Sequence, residues 1–163
     1  MQNTPEPLQV WRRIVPDEWI DYNGHLTEGY YGVAFADASD ELLIQLGFGP
    51  DYRAKSGTFY TVETRIRFLS EVHKGAQIAT ASYLLGADSK RLHVHHDLLA
   101  DQETSPVATQ EVMLIHVSQG GRAEQPRVSP MCDPILTRAL ELAESHSLIT
   151  APDHVGHGVR TLR

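Results

Sequence analysis

The chain has 163 residues, 41% hydrophobic and 21% charged with no long polar tract, which fits one compact domain with a sizeable core and argues against a second. Its 14 basic and 21 acidic residues leave a formal charge of −7, which argues against nucleic acid or an anionic membrane as partner and requires any polyanionic ligand to meet a local basic patch. Cys132 is the single cysteine, which excludes intramolecular disulfides and a cysteine-rich zinc site; residues 1–8 lack the basic and apolar regions of a leader, and no run of about 18 apolar residues occurs, so the expectation is a soluble, cytoplasmic protein.

Residues 8–15 read as a first strand, ended by Pro16, which has no N–H for a ladder. A connector leads to Asp21-Tyr22-Asn23-Gly24-His25-Leu26-Thr27-Glu28-Gly29-Tyr30-Tyr31, where a carboxylate, an amide and an imidazole precede a long amphipathic helix. From about residue 27 to 46, Tyr30, Tyr31, Ala34, Phe35, Ala38, Leu42 and Leu46 recur at spacings of three and four, with Asp37, Asp40 and Glu41 between them. Gly47 and Gly49 supply the stop and Pro50 follows, giving a helix of about five turns. Residues 51–57 read as a mobile connector.

The pattern then changes to period two. Tyr60, Val62, Thr64, Ile66 and Phe68 are expected on one face of a strand, and Thr61, Glu63, Arg65 and Arg67 on the other. A second strand covers about 77–85, and Gly86-Ala87-Asp88-Ser89 reads as a hairpin turn. A third, 91–99, alternates Leu92, Val94, His96 and Leu98 against Arg91, His93, His95 and Asp97; the fourth, 107–117, is the most apolar. Three successive hairpins imply an antiparallel sheet with one face covered by the amphipathic helix, an α+β fold. Ser118-Gln119-Gly120-Gly121 closes the sheet, 134–146 reads as a shorter helix, and the tail from Thr150 reads as poorly ordered. The whole of 1–163 is one domain, with a core at about 8–118 and a helix and tail at 119–163.

The first backbone N–H groups of a helix lack intrahelical partners and its dipole is positive there. A carboxylate beside such donors can attack a carbonyl or activate water while the donors hold the oxyanion, which makes Asp21 the first candidate for acyl-transfer chemistry. The plainer role is an Asx-turn or a helix cap. Asn23-Gly24 is a common turn pair, yet Gly24 also permits close backbone approach and Asn23 can orient water. His25 is either a strut for the loop or a proton donor to a leaving group. Glu28 favours the helix dipole and is the alternative carboxylate.

The order strand, long helix, four strands, with polar residues just before the helix, resembles the hotdog fold, an antiparallel curled sheet wrapped around a central helix. Val15-Pro16-Asp17-Glu18-Trp19-Ile20-Asp21-Tyr22-Asn23-Gly24-His25 is similar to the start of the 4-hydroxybenzoyl-CoA thioesterase-like superfamily. Phe59-Tyr60-Thr61-Val62-Glu63-Thr64 and Leu85-Gly86-Ala87-Asp88-Ser89-Lys90-Arg91-Leu92-His93 sharpen the resemblance to the branch found beside, or fused to, L-carnitine dehydrogenase in bacterial carnitine degradation. The resemblance spans about residues 10–118. It implies an acyl-CoA thioesterase with Asp21 as nucleophile or general base, acting on betainyl-CoA, with no cofactor beyond the CoA of the substrate itself. It also implies a homodimer or a tetramer, with active sites where subunits meet.

Under that resemblance Trp19, Tyr30, Tyr31 and Tyr60 would offer aromatic faces to the trimethylammonium group, helped by Glu28 or Glu63. Arg65, Arg67, Lys90 and Arg91 are the cations available for CoA phosphates, or else keep a sheet edge soluble. His93 and His95 share a strand face but lack a third ligand of matching spacing, so no metal is expected. Two other readings remain open. One is a hotdog hydratase or dehydratase, disfavoured because Asp21 and His25 stand four apart where such enzymes carry the pair about five apart; the other is a non-catalytic acyl-CoA binding module.

Overall fold

Residues 5–118 and 125–162 are described by a computed structural model, so 119–121 of the expected sheet-closing turn lie outside the described residues. In chain order the elements are β1 (Leu8–Ile14), a 3-10 turn (Asp17–Trp19), α1 (Glu28–Leu46), α2 (Pro50–Lys55), β2 (Thr58–Phe68), β3 (Gln77–Ala87), β4 (Arg91–Ala100), β5 (Ala108–Ser118), β6 (Arg127–Val128) and α3 (Ile135–His146). One antiparallel sheet runs in the order β1-β3-β4-β5-β2, with β6 on β5, and curls around α1. This is the α+β hotdog arrangement. Among the described residues no helix is long and apolar enough to cross a membrane.

The topology corrects one expectation. β2 and β3 form no hairpin, because residues 69–76 carry the chain from one edge of the sheet to a position between β1 and β4. β5, the most apolar strand, thereby gains a partner on each side, and β2 is left at the edge.

A second correction concerns the faces of β2. The register shifts between Thr61 and Glu63, so Val62 is an extra residue in a β-bulge. Below the bulge Thr64, Ile66 and Phe68 pair with Val112, Gln110 and Ala108 of the inner face. Above it the inner positions are Phe59 and Thr61, so Tyr60 shares the outer face with Glu63, Arg65 and Arg67, opposite the assignment that strict alternation gave it.

α1 buries Tyr31, Ala34, Phe35, Ala38, Leu42, Leu43 and Leu46, the stripe its spacing announces. Its amino-terminal half packs with Trp19, Val72, Ile78, Leu98 and Ala108; its carboxy-terminal half packs with Leu84, Leu92, Val94, Val112, Leu114 and Ile135. A polar layer separates the two clusters. Ser39 on α1 donates to the Phe35 carbonyl at 3.0 Å, so its oxygen accepts from Nε2 of His96 at 3.0 Å, and Nδ1 of His96 accepts from Ser82 at 2.7 Å. The ring is therefore neutral with its proton on Nε2, and burial drives its pKa down to about 3.

At the end of α1, Gly47 takes the left-handed conformation (φ 112°), and a Cβ there would fall 2.7 Å from Pro134 Cγ. Of residues 51–57, expected to be mobile, 51–55 belong with Pro50 to α2, because Pro50 sits at its first position and Tyr52 is buried. The Tyr52 hydroxyl donates to Nε2 of His116 at 3.0 Å and accepts from the Cys132 N–H at 3.0 Å, while Nδ1 of His116 donates to the Ser129 carbonyl at 3.0 Å. β1 pairs with β3 only as far as Ser82, and beyond it the Leu84 N–H donates to Nδ1 of His146 on α3 at 2.9 Å.

The tail also departs from expectation. Arg65 donates through Nη1 to the carbonyls of His154 (3.1 Å) and His157, and the Gly156 N–H donates to the Glu111 carboxylate at 2.9 Å. His95 therefore lies fully buried although it belongs to the outer face, its ring 5.2 Å from that of His154 and its Nε2 2.9 Å from Asp97.

Candidate active site

The loop before α1 is drawn tight by its own polar groups. The Asp21 N–H donates to the His25 carbonyl at 2.8 Å, and the Gly24 N–H donates back to the Asp21 carbonyl at 3.0 Å. Gly24 closes this turn at φ +80°, in the left-handed region that favours glycine. The Asp21 carboxylate accepts through Oδ1 from the N–H groups of Asn23 (2.8 Å) and His25 (3.3 Å). Its donors are thus amides of its own loop rather than of the first turn of α1, which begins seven residues later with Thr27 as N-cap. Both bonds fall on Oδ1, which leaves Oδ2 for chemistry.

Buried Leu26 anchors the loop, its N–H donating to the Val72 carbonyl at 2.7 Å, and Thr27 donates to the Trp19 carbonyl at 2.9 Å. Beside the loop lies an open cavity of about 680 Å³, lined among others by Asp21, His25, Glu28, Tyr31, Phe68 and Glu71. Three of these are carboxylic acids, and the Tyr31 and Phe68 rings meet edge to face with centroids 5.1 Å apart. Burial raises the pKa of the Tyr31 phenol, and the nearby charges of Glu71 and, to a lesser extent, Asp21 raise it further.

Of the residues singled out from sequence, Asp21, His25, Glu28 and Tyr31 come together on this cavity, with Asn23 and Gly24 shaping the loop. Trp19 and Tyr30 do not line it. Trp19 is buried in the core, stacked on Tyr30 at 5.0 Å with the Arg13 guanidinium 4.7 Å from its ring centroid. Glu63 and Arg65 line a different cavity, about 550 Å³, between the outer sheet face and the tail, alongside His93 and Glu111; Tyr60 and Arg67 share that outer face. Lys90 and Arg91 are exposed at the β3–β4 hairpin, where Arg91 is tied to Asp88 at 2.6 Å. The hydrogen bond from Arg91 is the main cause holding the Asp88 carboxyl below its ordinary range. His93 is paired with Glu111 at 2.8 Å.

Phe68 and Glu71 were not anticipated as site residues. Alternation places Phe68 only on one face of a strand, and the readable signal for Glu71 is Val72 flanked by Glu71 and His73, one more beat of period two beyond the strand.

A family model described as the thioesterase-like superfamily matches residues 15–155. The chain is 43% identical over 157 residues to an L-carnitine dehydrogenase/betainyl-CoA thioesterase of Agrobacterium fabrum, covering 96% of this chain and 31% of that protein. It is 39% identical over 150 residues to a betainyl-CoA thioesterase of Pseudomonas aeruginosa, covering 91% of this chain and 92% of that one. The chain thus spans less than a third of the fused relative and nearly all of the single-function one. A crystal structure of a Pseudomonas putida protein superposes with TM-score 0.81 at 31% identity, covering 96% of this chain and 98% of that chain. A Staphylococcus aureus protein solved in complex with CoA shares the fold, with TM-score 0.83 at 24% identity over 99% of this chain and 100% of that chain.

Proposed function

Because the chain belongs to the thioesterase-like superfamily, we propose that it hydrolyses acyl-CoA thioesters, with betainyl-CoA as substrate and glycine betaine and CoA as products. The observation that carries the reading is the Asp21 carboxylate, oriented through Oδ1 by two amides, on a cavity that also presents Glu28, Glu71, Tyr31 and Phe68. An acidic cavity with two aromatic rings suits a trimethylammonium group, which is held by carboxylates and by aromatic faces alike. The names of the relatives point to the same acyl group.

Asp21 either attacks the thioester carbonyl through Oδ2 or takes a proton from the water that does. In both routes the carbon–sulfur bond breaks, CoA leaves as a thiolate that needs little acid assistance, and one water is consumed. The first-turn N–H groups of α1 at Glu28 and Gly29 have no intrahelical acceptor and are the donors available to the oxyanion. His25 stands on the same cavity as a proton donor to the departing sulfur or as a strut of the loop.

Homodimerisation through β2 belongs to the same reading. β2 runs for 11 residues at the sheet edge with Tyr60, Val62 and Phe68 about half exposed, an edge that a second antiparallel copy would satisfy. Joining two dimers gives the tetrameric alternative. Lys90 is exposed and is the better candidate for CoA phosphates, because Arg65 already holds tail carbonyls and Arg91 beside it is paired with Asp88. Relatives that join both names in one chain support a functional link to L-carnitine dehydrogenase, and a substrate carried on CoA implies work in the cytoplasm.

Free-thiol release from a panel of acyl-CoAs tests the proposal. Turnover of betainyl-CoA well above that of an isosteric neutral acyl-CoA is expected. Hydrolysis confined to neutral medium-chain substrates would reject the betainyl assignment, and silence across the panel would leave a binding module.

A further inference from the structure

Two segments meet at the mouth of the Asp21 cavity. The loop 20–26 is zipped to the segment after β2 by the Leu26 N–H to Val72 carbonyl bond and by an antiparallel bridge between His25 and His73. This backbone pairing sets two imidazoles side by side, with ring centroids 4.9 Å apart. Glu71, two residues before His73 along an extended segment, lies on the same side, its Oε2 3.7 Å from Nε2 of His25. One ligand atom from each of His25, Glu71 and His73 lies within 4.8 Å of the other two.

From this arrangement we infer that His25, Glu71 and His73 bind a divalent transition-metal ion of the zinc class at the mouth of the active-site cavity, and that the bound ion inhibits hydrolysis. Two neutral imidazole nitrogens and one carboxylate oxygen suit Zn²⁺ and its neighbours, whereas Mg²⁺ and Ca²⁺ prefer all-oxygen sets. Ligand atoms around a tetrahedral ion at about 2.0–2.1 Å stand roughly 3.4 Å apart, and the exposed Glu71 and His73 side chains are free to close the remaining gap. Backbone pairing fixes the imidazole-bearing segments before any ion arrives, so little ordering is left to do on binding.

The inhibitory half rests on the proposed function. Glu71 and His25 also line the cavity of Asp21. An ion held by them would place positive charge against the acidic wall that receives a cationic acyl group, and would tie down an imidazole beside the reacting carbonyl. The first effect opposes turnover of a trimethylammonium substrate more than of a neutral one, and the second opposes both alike.

The test titrates Zn²⁺ into the full chain by calorimetry, for the parent, His73→Ala and Glu71→Gln, and measures thiol release with Zn²⁺ and after a chelator. Expected are one ion per chain, affinity reduced roughly tenfold or more in His73→Ala, the order that even supporting contacts carry at metal sites, and reversible inhibition of the parent that His73→Ala resists. His73 does not line the cavity, so His73→Ala keeps its activity without metal. Equal affinity in the parent and His73→Ala would overturn the ion site. Binding that depends on His73 with turnover unchanged by Zn²⁺ would overturn the inhibition alone. A parent inactive on every acyl-CoA that still loses Zn²⁺ affinity in His73→Ala would uphold the site and overturn the catalytic reading.

Discussion

Acid should destabilise this fold through His96, and the size of the effect follows from its surroundings. The ring is fully buried between Ser39 and Ser82, with both nitrogens committed to a single neutral tautomer and a pKa lowered to about 3 from 6.5. Above pH 6.5 the ring is neutral in the folded and the unfolded chain, and its contribution is complete. As pH falls below 6.5 the unfolded chain takes up a proton that the folded one refuses, so stability is lost at about 1.4 kcal/mol per pH unit until about pH 3. At pH 5 the loss from this residue is about 2 kcal/mol, a large share of the roughly 5–15 kcal/mol that holds a domain together. His116, His146 and His154, each shifted downward mainly by desolvation, act in the same direction. Urea denaturation of the parent and His96→Gln at pH 8 and pH 5 isolates the contribution, since glutamine can donate to Ser39 and accept from Ser82 but does not titrate. The parent should lose about 2 kcal/mol more than the variant over that interval. Equal losses in the two proteins would refute the assignment of a neutral, locked His96.

Asp21→Asn keeps an oxygen to accept the loop amides but removes the base, so kcat should fall by about 10²–10⁴ with the circular dichroism unchanged; a variant of near-parental rate would remove Asp21 from the chemistry. Glu28→Gln should retain most of kcat and narrow the preference for betainyl-CoA over a neutral isostere by a few-fold, as expected for an exposed charge contributing about 1 kcal/mol or less, read as the ratio of kcat/KM values. Phe35→Ala, at a fully buried position on α1, should cost about 3–5 kcal/mol in urea denaturation. Arg65→Ala should release the tail from the outer face, seen as faster limited proteolysis after residue 150 and faster hydrogen exchange at the Gly156 N–H, with the sheet core unaffected.

What the sequence made legible was the part governed by periodicity. α1 shows its buried stripe at every third or fourth residue, and β4 shows Leu92, Val94, His96 and Leu98 on one side, because neither element contains an interruption. β2 misled because a single inserted residue inverts the alternation without changing composition. α2 was hidden because six residues are too few to display a helical period, and its existence depends on Tyr52 reaching His116, 64 positions away. Strand order was hidden for a similar reason, since local pattern says which segments are strands but not which edges they find. In the site, Asp21, His25 and Glu28 drew notice through the motif that contains them, whereas Phe68 joins it through the pairing of β2 with β5 and Glu71 through the crossing of residues 69–76.

The bulge at Val62 makes β2 unusually tolerant of one particular change in length. Elsewhere in the strand, losing one residue would rotate everything on one side of the break by half a turn, driving Ile66 and Phe68 outward or Arg65 and Arg67 into the core. Loss of Val62 itself would restore an unbroken ladder, with Phe59, Thr61, Thr64, Ile66 and Phe68 still directed inward. A homologue one residue shorter in this strand should therefore carry its gap at position 62, and its outer row should read straight from Tyr60 to Glu63.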